Sequence, residues 1–125
     1  MLSPEVKENL AKSKERLKAA GVLFDARLFD DAASRAYYAT LYAAQAALIT
    51  QNLVAKSHDG VVLLFGSTFI KTGRTPRSIG TDLSRLRRMR EKAEYSSAFK
   101  TTEADAAWAV NAAKRFVAEI EKILG

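Results

Sequence analysis

Residues 30–52 read DDAASRAYYATLYAAQAALITQN, and this stretch decides the fold. Between positions 32 and 49 the clearly polar side chains are Ser34, Arg35, Thr40 and Gln45, and every other one is Ala, Leu, Ile or Tyr. A helix that is apolar nearly all round has to be covered on several sides, which makes this the central helix of a bundle. A bilayer span needs about 20 apolar residues without a break, and Arg35 and Gln45 interrupt this run, so it is not read as a membrane span. The alanines let neighbouring helices come close, while Tyr37, Tyr38, Leu41, Tyr42 and Leu48 supply bulk. Truncating one of the bulky residues is expected to cost about 3–5 kcal/mol.

Working outward, Ser3-Pro4-Glu5 is a helix start: a hydroxyl N-cap, a proline at the first helical position and an acid in the first turn. Val6, Leu10, Leu17, Ala20 and Phe24 continue an amphipathic stripe to about Ala26, through Gly21, with Leu28 and Phe29 in a short connection. Asp30 or Asp31 is expected to cap the central helix, which frays where polar residues return at Thr50, Gln51 and Asn52. Ser57 caps a third helix with Asp59 in its first turn and Val61, Leu64, Phe65, Thr68 and Phe69 on its buried face, ending near Lys71 before Gly73. The loop TGRTPRSIG follows, and a fourth helix starts between Ser78 and Asp82 with Leu83, Leu86, Met89 and Ala93 as a narrow apolar stripe. It stops at Tyr95-Ser96-Ser97. Thr102 caps a last helix whose core side carries Ala109, Ala113, Phe116, Val117, Ile120 and Leu124, with Trp108 beside them. No segment alternates with period two, so no sheet is predicted. The expected fold is all-α, an up-and-down bundle of four main helices plus a shorter fifth, in one domain over residues 1–125.

The composition is that of an ordinary soluble globular protein, with 27% charged and 48% hydrophobic residues in 125. Cysteine is absent and His58 is the only histidine, so disulfides, thiolate metal sites and histidine-rich metal sites within one chain are excluded. No cofactor is expected. The opening residues MLSPEVKENL contain no apolar signal region, and a cytoplasmic protein is the expectation. The net charge is +6, and residues 71–92 carry eight basic side chains against two acidic ones, which leaves twelve of each sign elsewhere. The whole excess of positive charge lies in one segment.

Arginine clusters neutralise phosphate and steer association with nucleic acid or nucleotides. Arg85 and Arg88 fall near one face of the fourth helix and Arg87 and Arg90 near another, so the cluster wraps the helix. Three readings stay open for it: a solvated or internally paired surface, a site for a phosphate-bearing ligand, or contact with a protein partner of acidic surface. Arg35 stands in the least polar helix and must be paired, with Asp31 or Glu94 as candidates, or must line a cleft that holds an anion. His58 reads either as a hydrogen-bonded structural residue next to a cap or as a catalytic one. Tyr37, Tyr38, Tyr42 and Trp108 read mainly as core or interface residues, with base stacking the alternative. The chain holds no GxGxxG, P-loop, nucleophile elbow or HExxH.

Three stretches together resemble a known family: SRAYYATLYAAQAAL at 34–48, SHDGVVLLFGSTFIKTG at 57–73 and RMREKAEY at 88–95. They are similar to the HEPN superfamily, the higher-eukaryote and prokaryote nucleotide-binding domains, and to its small stand-alone prokaryotic branch. The resemblance implies a bundle of four or five helices, homodimers in many members, and pairing with a small nucleotidyltransferase in toxin–antitoxin-like modules. Many members are metal-independent ribonucleases with an Arg-x(4–6)-His motif at a dimer cleft. Here the positions before His58 at that spacing are Gln51, Asn52 and Leu53, and the residue after Arg90 at that spacing is Tyr95. A phenol is a poor general base at neutral pH, though it can donate a hydrogen bond, so the enzyme reading leans to no.

The reading drawn from these residues is a nucleotide- or RNA-binding module in which Arg90 and Arg35 hold phosphate and Tyr95 and His58 hydrogen-bond the ligand, with Arg85, Arg87 and Arg88 contributing charge. The alternatives are a divergent ribonuclease using Arg90 with Tyr95 or His58, and a structural interaction bundle.

Overall fold

The computed structural model of the chain describes residues 2–98 and 100–125. Helix α1 spans Pro4–Asp25, and its Ser3 cap accepts a hydrogen bond from the Val6 backbone N–H, as the sequence predicts. The chain turns back through Arg27, which adopts the left-handed conformation at φ 64° while the Leu28 N–H donates to the Leu23 carbonyl. Helix α2 then spans Phe29–Ile49. Phe24 packs on Phe29 beside the turn, and farther along Ser13 Oγ donates to the Ala39 carbonyl at 2.6 Å, so α1 and α2 run antiparallel.

Two local expectations are corrected. α2 begins at Phe29, its N-cap position is Leu28, and neither Asp30 nor Asp31 caps it. The backbone turn at Arg27 and Leu28 starts the helix ahead of both aspartates, and the Asp30 carboxylate instead accepts the Thr101 backbone N–H at 2.8 Å. The third helix is also not uniform. Helix α3 spans His58–Phe65, capped by Ser57, and the next turn, Gly66–Ile70, is π-helical, with the Lys71 N–H donating to the Gly66 carbonyl five residues back. Val61, Phe65 and Phe69 nonetheless share one buried face across both pieces. Helix α4, Arg77–Tyr95, buries Ile79, Leu83 and Leu86; helix α5, Glu103–Leu124, starts at a Thr102 cap that accepts the Asp105 N–H. No strand occurs among the described residues.

The result is an all-α bundle of four long helices and one short one, with α2 at its centre in contact with each of the others. Eight alanines of α2 are buried, which lets α1 and α5 approach its backbone closely, and Tyr37, Leu41 and Leu48 fill the larger gaps. Phe65 joins this core to Phe69 and to Phe116 of α5, with ring centroids 5.1 and 5.2 Å apart. One side of α2 remains open: Arg35 is exposed, and Tyr38, Tyr42, Gln45 and Ile49 are partly exposed at alternating spacings of three and four. No helix is long and apolar enough to cross a membrane among the described residues.

Candidate functional site

Arg90 is the pivot of the part of the basic segment that turns inward on three tyrosines. It sits on the last turns of α4 facing α2, and its side chain is only 12% exposed. Its guanidinium donates to Tyr38 Oη at 3.1 Å and to Glu94 Oε2 at 2.9 Å. It also lies 5.3, 5.8 and 6.0 Å from the ring centroids of Tyr37, Tyr38 and Tyr95, so three phenol rings border one cation. Burial works against the charge, but the Tyr38 phenol and the Glu94 carboxylate outweigh it, and the net effect holds the guanidinium more firmly protonated than usual. Its buried Nε–H has no hydrogen-bond partner among the described residues, and neither does the buried hydroxyl of Tyr37.

His58 joins this centre from another helix. The Ser57 cap fixes the start of α3, and the imidazole meets the Tyr38 ring edge-on at 5.7 Å between centroids. Next to it Asp59 pairs with Arg87 at 2.7 Å, and Arg87 also pairs with Glu91 at 3.3 Å, which straps the first turn of α3 to α4. Because Tyr38 Oη accepts from Arg90, its own hydroxyl proton is left to donate elsewhere. The cluster therefore offers a fixed cation, a phenol donor and an exposed imidazole within one patch.

The proposed residues divide on this geometry. Arg90 and His58 both meet Tyr38, Tyr95 borders Arg90, and Arg87 stands behind them as a strap. Arg35 is next door, lining a small groove of about 230 Å³ with Asp30, Asp31, Tyr38 and Glu94. It is exposed and forms no ion pair among the described residues, so of its two expected settings the internal ion pair is not met, and the guanidinium opens into this groove on the open side of α2. Arg85 belongs elsewhere, stacked 3.9 Å from the Trp108 ring centroid and 4.0 Å from Asp105 of α5. Arg88 lines a separate groove with Lys71 and Arg77. The sequence offers Tyr38 mainly as a core or interface residue and Glu94 as an ion-pair partner of Arg35. The available signal was helical spacing, since Tyr38 lies three residues after Arg35 and Glu94 four after Arg90. No group of His, Asp and Glu side chains that could hold a metal ion occurs among the described residues.

A helical bundle with an arginine bound between tyrosines of α2 and α4 defines the class, and the family match agrees with it. The HEPN domain matches residues 6–123, and the chain belongs to that family. It is 35% identical to a Methanocaldococcus jannaschii protein named "Putative toxin MJ0605", in an alignment covering 99% of this chain and 95% of that one. A Gloeobacter violaceus protein named "UPF0332 protein glr0978" is 38% identical over 78% of this chain and 77% of its own. A second M. jannaschii relative, named "Putative toxin MJ0142", is 26% identical over 96% of this chain and 82% of its own.

Proposed function

We propose that this HEPN protein binds a phosphate-bearing ligand, a nucleotide or an RNA backbone, at the Arg90 centre, as the toxin-like half of a module whose other half is a small nucleotidyltransferase. The observation that carries the reading is Arg90 itself: a nearly buried guanidinium with one carboxylate partner and an unpartnered Nε–H, bordered by phenols. Glu94 is 36% exposed and one helical turn away, so it can swing out as a phosphate takes its place on the guanidinium. Tyr38 donates to the same anion, and the exposed Tyr95 and Arg35 extend the patch on either side. The names of the two M. jannaschii relatives support a toxin-like role. The partly exposed line Tyr38–Tyr42–Gln45–Ile49 supports a homodimer built on α2, for which light scattering at high concentration should give twice the chain mass.

Binding of ADP and of a twelve-residue oligouridylate should be measured by fluorescence anisotropy at several salt concentrations. Arg90→Ala should weaken both by tenfold or more, Arg90→Lys should restore only part because the planar fork is lost, and the RNA affinity should fall with salt. Unchanged affinity in a folded Arg90→Ala variant overturns the reading. Co-expression with an adjacent nucleotidyltransferase should yield a complex that survives gel filtration.

A second reading, a metal-independent ribonuclease, is favoured by one specific finding. The arginine and histidine that the local motif fails to supply are brought together through Tyr38 from α4 and α3, although they stand 32 positions apart in the chain. His58 would then take the proton of a ribose 2′-hydroxyl, and Arg90 would stabilise the charge developing on phosphorus-bound oxygen. RNA cleavage that persists in EDTA and is lost in His58→Ala supports it. Intact RNA after prolonged incubation with the purified dimer, alone and with its partner, dismisses it.

A further inference from the structure

Six cations of α4 and the loop before it fall into two groups. Arg85, Arg87 and Arg90 each have a carboxylate within 4.0 Å. Lys71, Arg77 and Arg88 have none among the described residues, and all three line one open groove of about 900 Å³ between the α3–π-helical segment and α4. No Asp or Glu lines that groove. Lys71, Arg77 and Arg88 are therefore gathered at one place, while Arg74, which also lacks a carboxylate partner among the described residues, is turned away from them and donates to Gln51.

Beneath them the groove is apolar. Val62 and Ile70, both partly exposed, form its floor over the buried Phe65 and Leu83, and Thr81 and Ser84 add hydroxyls. Two glycines shape it. Gly80 lets Ile70 lie against α4, since a Cβ there would meet the Ile70 side chain at 3.1 Å. Gly66, at the start of the π-helical turn, faces open space, with nothing within 4 Å of where its Cβ would stand. The wider π turn carries both Gly66 and Ile70 into the lining, and such turns recur at functional sites.

We infer that this groove docks an acidic amphipathic segment of a protein partner, apolar side chains on the floor and carboxylates on Lys71, Arg77 and Arg88. Charge and shape together select this occupant. Single-stranded RNA reads protein surfaces with stacked bases, and the only aromatic ring in the lining, Phe65, is fully buried. A phosphate backbone has no use for an apolar floor. A second copy of a chain with net charge +6 meets this acid-free groove with repulsion. The inference is independent of the Arg90 reading, because the two sites share no residue.

The test selects twelve-residue peptides from a random displayed library on the full-length protein and measures recovered peptides by fluorescence anisotropy. Peptides rich in Asp and Glu interleaved with Leu, Ile or Phe are expected. Their affinity should fall tenfold or more in the Arg77→Glu/Arg88→Glu variant and also in Gly66→Phe, which fills the groove without removing charge. Unchanged thermal melting checks that each variant is folded, and Gly66→Phe should leave ADP binding at its original strength, which separates this site from the other. Recovery of no binding peptide, recovery of peptides without acidic residues, or binding indifferent to both variants overturns the inference. A tenfold loss of oligouridylate binding in the groove variants, with peptide binding unmoved, assigns the groove to nucleic acid instead.

Discussion

Tyr37 is fully buried, and its hydroxyl has no hydrogen-bond partner among the described residues. Burial pushes its pKa up, against the opposing pull of Arg90 and Arg87, so the folded protein holds the phenolic proton more tightly than the unfolded chain does. That contribution to stability is fully present below about pH 10, the ordinary phenol value, and is lost as pH rises through the folded-state value. Tyr37→Phe should therefore change stability by less than about 1 kcal/mol at pH 7, since no bond is broken. It should also flatten the loss of stability above about pH 10; urea unfolding of both proteins at pH 7 and pH 10.5 checks the sign. Arg35 and Arg90 show what single residues disclose in a sequence. Both flank apolar segments, and nothing local predicts that Arg90 is almost covered while Arg35 is exposed. The difference is made by which side of α2 the fourth helix takes, and Arg35 lies on a side that no other helix covers completely.

At the scale of elements, what could be read early and what could not follows the range of the interaction. The caps Ser3, Ser57 and Thr102 each bond to a backbone N–H three residues on, and that chemistry is written in adjacent letters. The bond from Thr101 to Asp30 spans 71 positions, so the sequence shows the aspartate as a cap while its partner is the backbone leading into α5. Asp30→Ala should cost about 1.5–3 kcal/mol in urea unfolding, the usual range for a hydrogen bond to a charged group, and Asp30→Asn should cost less because its amide oxygen still accepts. The π-helical turn was hidden for a different reason. Val61, Phe65 and Phe69 keep a spacing of four that suits an ordinary helix, and the widening serves the Gly66 and Ile70 side, where no periodic signal exists.

For the whole molecule, the centrality of α2 was legible because an alanine-rich helix with so few polar side chains has no alternative to enclosure. The candidate site is legible only in part: the family pattern directs attention to Arg90, Tyr95 and His58, but Tyr38, which connects two of them, reads mainly as a core or interface residue. Phe116 of α5 closes this core against Phe65, and Phe116→Ala should lower stability by about 3–5 kcal/mol in urea unfolding. The order of the elements carries one more consequence. A ribosome releases α1 and α2 early, as a ready hairpin of neighbouring helices, and releases α5 after everything else described here. Until then, the flank of α2 that α5 will close is sticky and bare, so a growing chain halted before Glu103 should recruit chaperones or clump with its neighbours, and the completed one should not.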